Sequence, residues 1–278
     1  MQLKSPKRIL NLDTPVIMGI LNVTPDSFSD GGKWNSLQNA LDHAKSMEDE
    51  GALIIDIGGE STRPGAKTVS VDEELERVIP VVEKLRKQSD IMISIDTSQV
   101  EVIKEAVKAG ADIWNDIRAL SNENAIETAA SLDIPVILMH MQGKPATMQD
   151  HPHYEDPLKE IIDFLNSRIE ECVKGGIKKE NIILDPGFGF GKTVKDNYIL
   201  LDNIDMIVSL GYPVLLALSR KSMIGAACHI DDAQKRVTGS VAGALISVMK
   251  GAQMLRVHDV KETLDAINVY KAMIESRL

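Results

Sequence analysis

Val16-Ile17-Met18-Gly19-Ile20-Leu21-Asn22 reads as a strand covered on both faces. Its apolar or small residues follow one another without a two-residue alternation, and the run then stops at a polar side chain, as in parallel sheets. The same design recurs along the chain. Residues 53–57 carry Asp56 near their end, 91–95 run into Asp96, and a short run at Ile113-Trp114 meets Asn115. Residues 135–139 precede His140, 182–184 precede Asp185, 214–218 precede Ser219 and 254–257 precede His258. Between the runs lie segments of helical period. Leu37, Leu41, Ala44 and Met47 share one face before Gly51, and Ile161, Leu165, Ile169 and Cys172 share another before Gly175-Gly176. Ser70 with Glu73, and Ser98 with Glu101, have capping-box spacing, and Pro80 inside one helical pattern is expected to kink or shorten that helix.

Eight strand–helix units in 278 residues predict an α/β protein, a (β/α)8 TIM barrel, with residues 1–278 forming one catalytic domain. A doubly wound open sheet is the competing architecture. Its GxGxxG signature should follow the first strand, whereas the glycines of Pro186-Gly187-Phe188-Gly189-Phe190-Gly191 follow the sixth run with a different spacing.

Composition narrows the function classes. Hydrophobic residues at 44% and charged residues at 26% describe an ordinary globular chain. A net charge of −10 with 4% aromatic residues argues against nucleic-acid binding, because the field repels polyphosphate and few rings are available for base stacking. No apolar run reaches membrane-spanning length, so no membrane association is expected. The first fifteen residues lack a signal-peptide pattern, and Cys172 and Cys228 form no disulfide framework. A reducing, cytoplasmic location is the expectation. His151 and His153 have no third ligand at metal spacing and read as a solvated loop.

In a parallel barrel the C-terminal ends of all strands share one rim, where active sites are built. Asn22, Asp56, Asp96, Asn115, His140, Asp185, Ser219 and His258 are therefore expected to converge there. Asp96 could instead cap the following helix, and Asp56 is expected to support the site from behind. Carboxylates and a carboxamide in a pocket suit a flat ligand with an N–H/NH2 edge, such as a guanine or a pterin; composition leaves the choice open. Arg63, Arg220, Lys221 and Arg256 form a basic set. Those after strands seven and eight, with His258, predict an anion site beside a helix start near Ser222. The loops at 22–32 and 58–65 combine Gly, Pro and hydroxyl residues and are longer than their connections require, so they read as mobile lids.

The wording of these segments is familiar. Gly19-Ile20-Leu21-Asn22-Val23-Thr24-Pro25-Asp26-Ser27-Phe28-Ser29-Asp30-Gly31-Gly32 resembles the first signature of the dihydropteroate synthase family, and Asp56-Ile57-Gly58-Gly59-Glu60-Ser61-Thr62-Arg63-Pro64-Gly65 its second. The resemblance continues through Ser94-Ile95-Asp96-Thr97, Asn115-Asp116-Ile117, Leu138-Met139-His140-Met141, residues 184–192, Ser219-Arg220-Lys221-Ser222 and residues 256–260. It runs from about Thr14 to the C-terminus in the family order. One departure is Ala217, where the family pattern carries Gly; the extra methyl is expected to tighten the pocket floor.

The resemblance implies condensation of a 7,8-dihydropterin-6-ylmethyl diphosphate with p-aminobenzoate, giving 7,8-dihydropteroate and diphosphate for folate synthesis. It also implies Mg2+ as cofactor, a homodimer, and sulfonamides as p-aminobenzoate mimics. Asp96, Asn115 and Asp185, with Lys221, are then the pterin readers. Asn22, Arg256 and His258 hold diphosphate, with Asn22 on the metal. Phe28, Thr62, Arg63, Pro64, Phe190 and Ser219 surround p-aminobenzoate and form the lids, and Asp96, Lys221 and Arg63 are the catalytic set. Two alternatives stay open: a corrinoid-dependent methyltetrahydrofolate methyltransferase sharing the pterin pocket, and a non-catalytic pterin-binding homologue.

Overall fold

A computed structural model describes residues 1–24, 32–60, 69–144 and 147–277, without the side chains of 32–35. Along the chain come β1 (Gln2–Lys4), β2 (Ile9–Asn11), β3 (Val16–Asn22), α1 (Gly32–Asp49), β4 (Ile54–Gly58), α2 (Val71–Gln88), β5 (Met92–Asp96) and α3 (Val100–Ala109). There follow β6 (Ile113–Asp116), α4 (Ala125–Leu132), β7 (Val136–Met139), α5 (Pro157–Lys174), β8 (Ile182–Asp185), α6 (Val194–Asp202) and α7 (Ile204–Val208). The last elements are β9 (Leu215–Leu216), α8 (Ser222–Cys228), α9 (Val237–Met249), β10 (Met254–Val257) and α10 (Val260–Glu275).

Strands β3 to β10 form one parallel sheet in the order β8-β7-β6-β5-β4-β3-β10-β9. A parallel bridge between Leu184 and Val214 joins its two ends, and Leu184 N–H donates to the Pro213 carbonyl at 2.8 Å. The expected (β/α)8 barrel is the observed one. The seventh strand is shorter than its apolar run, with only Leu215–Leu216 in regular pairing.

Strand parity explains why the runs are apolar throughout. One parity, including Ile17, Ile55, Ile93, Trp114, Val136, Ile182, Leu216 and Leu255, packs outward in the large core shared with the helices. The other parity, Met18, Ile54, Met92, Ile113, Ile137, Ile183, Leu215 and Met254, fills the lower half of the barrel. Because side chains alternate along a strand, the residues two and four positions later on that parity face the upper interior. They include Asn22, Asp56, Asp96, Asn115, Asp185, Ala217, Ser219, Arg256 and His258, so the switch from apolar to polar happens on the inner face as every strand but β7 nears the rim; on β7 Met139 keeps that face apolar.

The floor of the barrel was not legible in the sequence. β1 and β2 pair antiparallel, with Leu3 opposite Leu10, and Leu3 and Leu12 are buried in the lower barrel cluster. The hairpin is pinned by Ser5 Oγ and Arg8 Nη1, both donating to Asp112 Oδ1, at 2.7 and 3.1 Å. Two local expectations also change. Pro80 does not shorten α2, which runs unbroken through it; the capping box at Ser70 and Glu73 is present. Ser98 is not a cap: α3 begins at Gln99 without a side-chain cap, and Ser98 Oγ donates instead to Asp116 Oδ1. Asp116 takes the hydroxyl because it is buried and needs donors; the Arg118 and Leu120 N–H groups supply two more.

Candidate active site

The rim collects the predicted residues from six different strands (β3, β4, β5, β6, β8 and β10) and the turn after a seventh, β9. Register alone aligns four positions, with Asn22 beside Gly58, Gly58 beside Asp96 and Asp96 beside Asn115. The centre of the set is Arg256 on β10. Its Nε donates to Asp56 Oδ2 at 2.6 Å and its Nη2 to Asp96 Oδ2 at 2.8 Å. Asn115 Nδ2 donates to Asp56 at 3.2 Å, leaving the carboxamide oxygen of Asn115 as an acceptor facing the pocket set. Asp56 is fully buried and acts behind the rim, as expected, by orienting Asn115 and Arg256. The guanidinium that the resemblance gives to diphosphate is thus also the counter-ion of the carboxylates on the pterin side.

Burial is the dominant electrostatic influence. It pushes the Asp96 carboxyl up to about 7 against the pull of Arg256, with the nearby Asp56 adding to the rise. It also raises Asp185, opposed by Lys221, by the Gly187 N–H at 2.7 Å and by Arg256. Lys221 is drawn down to about 8 by burial, with Asp185 and Asp96 holding it up and Arg256 repelling it. These mutual influences place Asp96, Asp185, Lys221 and Arg256 around one space. Displaced pKa values of paired groups in a cleft are the signature of a functional site.

Lys221 follows β9 through Arg220, whose left-handed backbone (φ 59°) turns the chain at the rim. The turn is clamped. Arg220 Nε and Nη2 bind Asp259 at 3.0 and 2.5 Å, and Arg236 Nη1 donates to the Arg220 carbonyl at 2.9 Å. Lys221 Nζ then donates to the Phe188 carbonyl and stands 4.4 Å from the centroid of the Phe190 ring. Ser219 Oγ and His258 Nδ1 lie 3.0 Å apart, so the ends of β9 and β10 meet. Arg220, by contrast, turns to Asp259 and braces the rim rather than joining the pocket.

Three features were not anticipated as parts of the site. Lys192, 3% exposed, is buried beneath the Gly187–Gly191 loop. His140, named only as a strand end, is its partner at 2.9 Å. Glu74 on α2 is buried against Thr97, one residue past Asp96, and burial pushes its carboxyl up to about 7. Only Lys192 left a signal, a basic residue directly after a glycine-rich loop. Phe28, Thr62, Arg63 and Pro64 lie outside the described residues. His151 and His153 are exposed, and among the described residues no cluster of three His, Cys, Asp or Glu side chains is arranged for a metal.

For Mg2+ the donor chemistry is the test. Asn22 ends β3 with its carboxamide beside Gly58 and Asp96, offering one neutral oxygen. A hard cation that keeps several waters and takes phosphate oxygens needs few protein ligands, so this donor set fits a magnesium ion arriving with a diphosphate.

Carboxylates and a carboxamide at the rim of a parallel barrel, beside buried cations, define the class: a barrel enzyme whose pocket suits a flat N–H/NH2 edge carrying an anionic substituent. A sequence profile of the family described as pterin binding enzyme matches residues 18–258. A dihydropteroate synthase of Haemophilus influenzae is 54% identical over 98% of this chain and 98% of the relative. Among solved structures, a Yersinia pestis dihydropteroate synthase in a sulfonamide complex superposes with a TM-score of 0.94 at 51% identity, covering 99% of this chain and 100% of that one. A Xanthomonas albilineans dihydropteroate synthase in complex with 7,8-dihydropteroate gives a TM-score of 0.91 at 44% identity, covering 98% of each. The chain belongs to the dihydropteroate synthase family of pterin-binding enzymes.

Proposed function

We propose that the protein joins a 7,8-dihydropterin-6-ylmethyl diphosphate to p-aminobenzoate, releasing diphosphate and forming 7,8-dihydropteroate. The observation that carries this is Arg256 bonded to both Asp56 and Asp96 while Asp185 and Lys221 face the same space. A pterin edge and a leaving anion then have their ligands at one mouth.

Asp185 accepts from the N–H/NH2 edge of the pterin, Asn115 offers its oxygen to the ring, and Asp96 lies along it. Lys221 reaches the ring's oxygen or nitrogen. His258, Arg256 and Asn22 hold the diphosphate. Magnesium, when bound through Asn22 and the diphosphate, neutralises charge developing on the leaving oxygens. The bond between the exocyclic methylene and oxygen breaks, and its electron pair leaves with diphosphate. Arg256 and His258 stabilise that charge more in the transition state than in the ground state. The methylene left behind is a delocalised cation, which the Asp96 carboxylate stabilises. The arylamine nitrogen, a weak nucleophile, forms the new C–N bond and sheds a proton, so the substitution is dissociative. Phe28, Thr62, Arg63, Pro64, Phe190 and Ser219 surround p-aminobenzoate, with Arg63 its catalytic cation and the two loops closing over it. Sulfonamides compete there.

We further infer one catalytic domain over the whole chain, a cytoplasmic location and a homodimer. Two free cysteines and no long apolar helix among the described residues accord with the second. Exposed Met206, Ile246, Met249, Val269 and Met273 on neighbouring helices α7, α9 and α10 accord with the third.

Incubating the protein with the pterin diphosphate, p-aminobenzoate and Mg2+ is the test. Diphosphate released one-for-one with dihydropteroate, and only when both substrates are present, is the expected result. Tight pterin binding without turnover would instead identify a non-catalytic homologue, and methyl transfer to a corrinoid would identify a methyltransferase.

A further inference from the structure

Lys192 is a buried amine that the reaction above does not use; burial, with Lys221 nearby, pushes its pKa well below the ordinary lysine value. It follows β8 and the turn Pro186-Gly187-Phe188-Gly189-Phe190-Gly191, then folds back beneath that turn. Nζ donates to the Gly187 carbonyl at 2.8 Å and to the Phe190 carbonyl at 3.0 Å, and lies 2.9 Å from His140 Nδ1. The His140 carbonyl, at 3.4 Å, is a fourth and more distant acceptor, so every N–H of the amine has a partner. His140 must then present a bare Nδ1 and carry its proton on Nε2. Its ring is held edge-on to Phe164, with centroids 4.9 Å apart, and burial together with Lys192 drives its own pKa down to about 3.

The turn held this way is tightly specified. Gly187, Gly189 and Gly191 all have left-handed φ (70°, 80° and 62°), and a Cβ on Gly187 would lie 1.9 Å from the His140 carbonyl oxygen. Tyr154 Oη donates to the Gly191 carbonyl at 2.8 Å, and the Gly189 N–H donates to Asn197 Oδ1 at 2.7 Å. The turn carries two of the groups that fix Lys221: the Phe188 carbonyl that accepts from Nζ and the Phe190 ring beneath it. Lys192 binds the first and fourth residues of this unit and so sets where both groups stand.

We propose that Lys192 is a positioning residue for the p-aminobenzoate side of the site, tying the Gly187–Phe190 turn to the end of β7 so that the Phe190 ring holds the arylamine in line with the pterin methylene. This rests on the reading of Phe190 as a wall of the p-aminobenzoate subsite.

A double-mutant cycle of Lys192→Met and Phe190→Ala, read as the KM of each substrate, tests it. Lys192→Met keeps the stem and removes the donors. It is expected to raise the KM for p-aminobenzoate about tenfold or more, the scale of a sub-ångström misplacement of a binding wall. The KM for the pterin diphosphate should change less than about threefold, because Asp185 belongs to β8 itself. In the Phe190→Ala background the same substitution should add no further rise. Equal rises for both substrates, or an undiminished rise in that background, would overturn the proposal and leave only a folding role. Phe190→Ala leaving the p-aminobenzoate KM unchanged would overturn the subsite reading and the proposal with it. A rise in Phe190→Ala with none in Lys192→Met would overturn the proposal alone. If Lys192→Met does not fold, Lys192→Gln, which keeps two N–H donors, takes its place; a rise of about threefold confined to p-aminobenzoate is then expected, and no rise overturns the proposal.

Discussion

Asp96 sits between two demands. In the proposed mechanism it must be a carboxylate to face a developing pterin cation, yet burial makes ionisation costly and pushes its pKa up to about 7. A carboxyl with a raised pKa takes up its proton as the pH falls through that value. The catalytically useful form is therefore lost on the acid side, from about pH 7 downward. The pH profile of kcat/KM, which reports groups of the free enzyme, should fall about tenfold per unit below that point. Asp96→Asn, permanently uncharged, should have a low and flat profile over the same range. A variant that keeps the acid limb would move that ionisation to another group. Arg256 illustrates the opposite economy. It serves two carboxylates and, in the proposed mechanism, the leaving anion, so its removal strips a buried network of its cation, at a cost of about 3–5 kcal/mol in stability. Loss of activity in Arg256→Ala accordingly mixes folding with catalysis, and His258 is the cleaner probe of the anion site.

At the scale of elements, the parallel strands were legible because each is apolar on both parities, and their polar ends because the inner parity of every strand but β7 changes character near the rim. That combination located Asn22, Asp96, Asn115, Asp185 and His258 before any coordinates. The hairpin β1–β2 was not legible. Each of its strands is three residues long, and its burial pattern is exposed–buried–exposed around Leu3, too short for periodicity to speak. Its meaning comes only from the open barrel bottom that it covers. Leu3→Ala should cost about 2–5 kcal/mol in denaturant unfolding, as other large-to-small core changes do, with the KM values for both substrates unchanged. A KM change would mean that the floor of the barrel governs its rim. Ser98 failed as a cap for a related reason. A local signature competes with a buried carboxylate contributed from 18 residues away, and the buried group wins because leaving it short of donors costs more than an uncapped helix end.

For the whole molecule, the acidic surface and the cationic mouth are not in conflict. A net charge of −10 is spread over the exterior, while Lys221 and Arg256 are gathered inside a rim of carboxylates, so a small anion meets a local field that the net charge does not describe. The assembly has its own test. Met249, closing α9, is 57% exposed, and Val269, within α10, is 73% exposed. Replacing both with Asp should convert a sedimenting dimer to monomer; an unchanged sedimentation coefficient would place the contact elsewhere, or show that the wild type is already monomeric. The central claim is that one mouth grips both the heterocycle and its departing tail. Calorimetry with the pterin diphosphate and with the matching pterin alcohol, on wild type, Asp185→Asn and His258→Ala, tests it most directly. Asp185→Asn should weaken both ligands by about 1.5–3 kcal/mol, the scale of a lost charge-assisted hydrogen bond, and His258→Ala only the diphosphate. If Asp185→Asn left the affinity of both ligands unchanged, or His258→Ala weakened the alcohol as much as the diphosphate, the account would be contradicted.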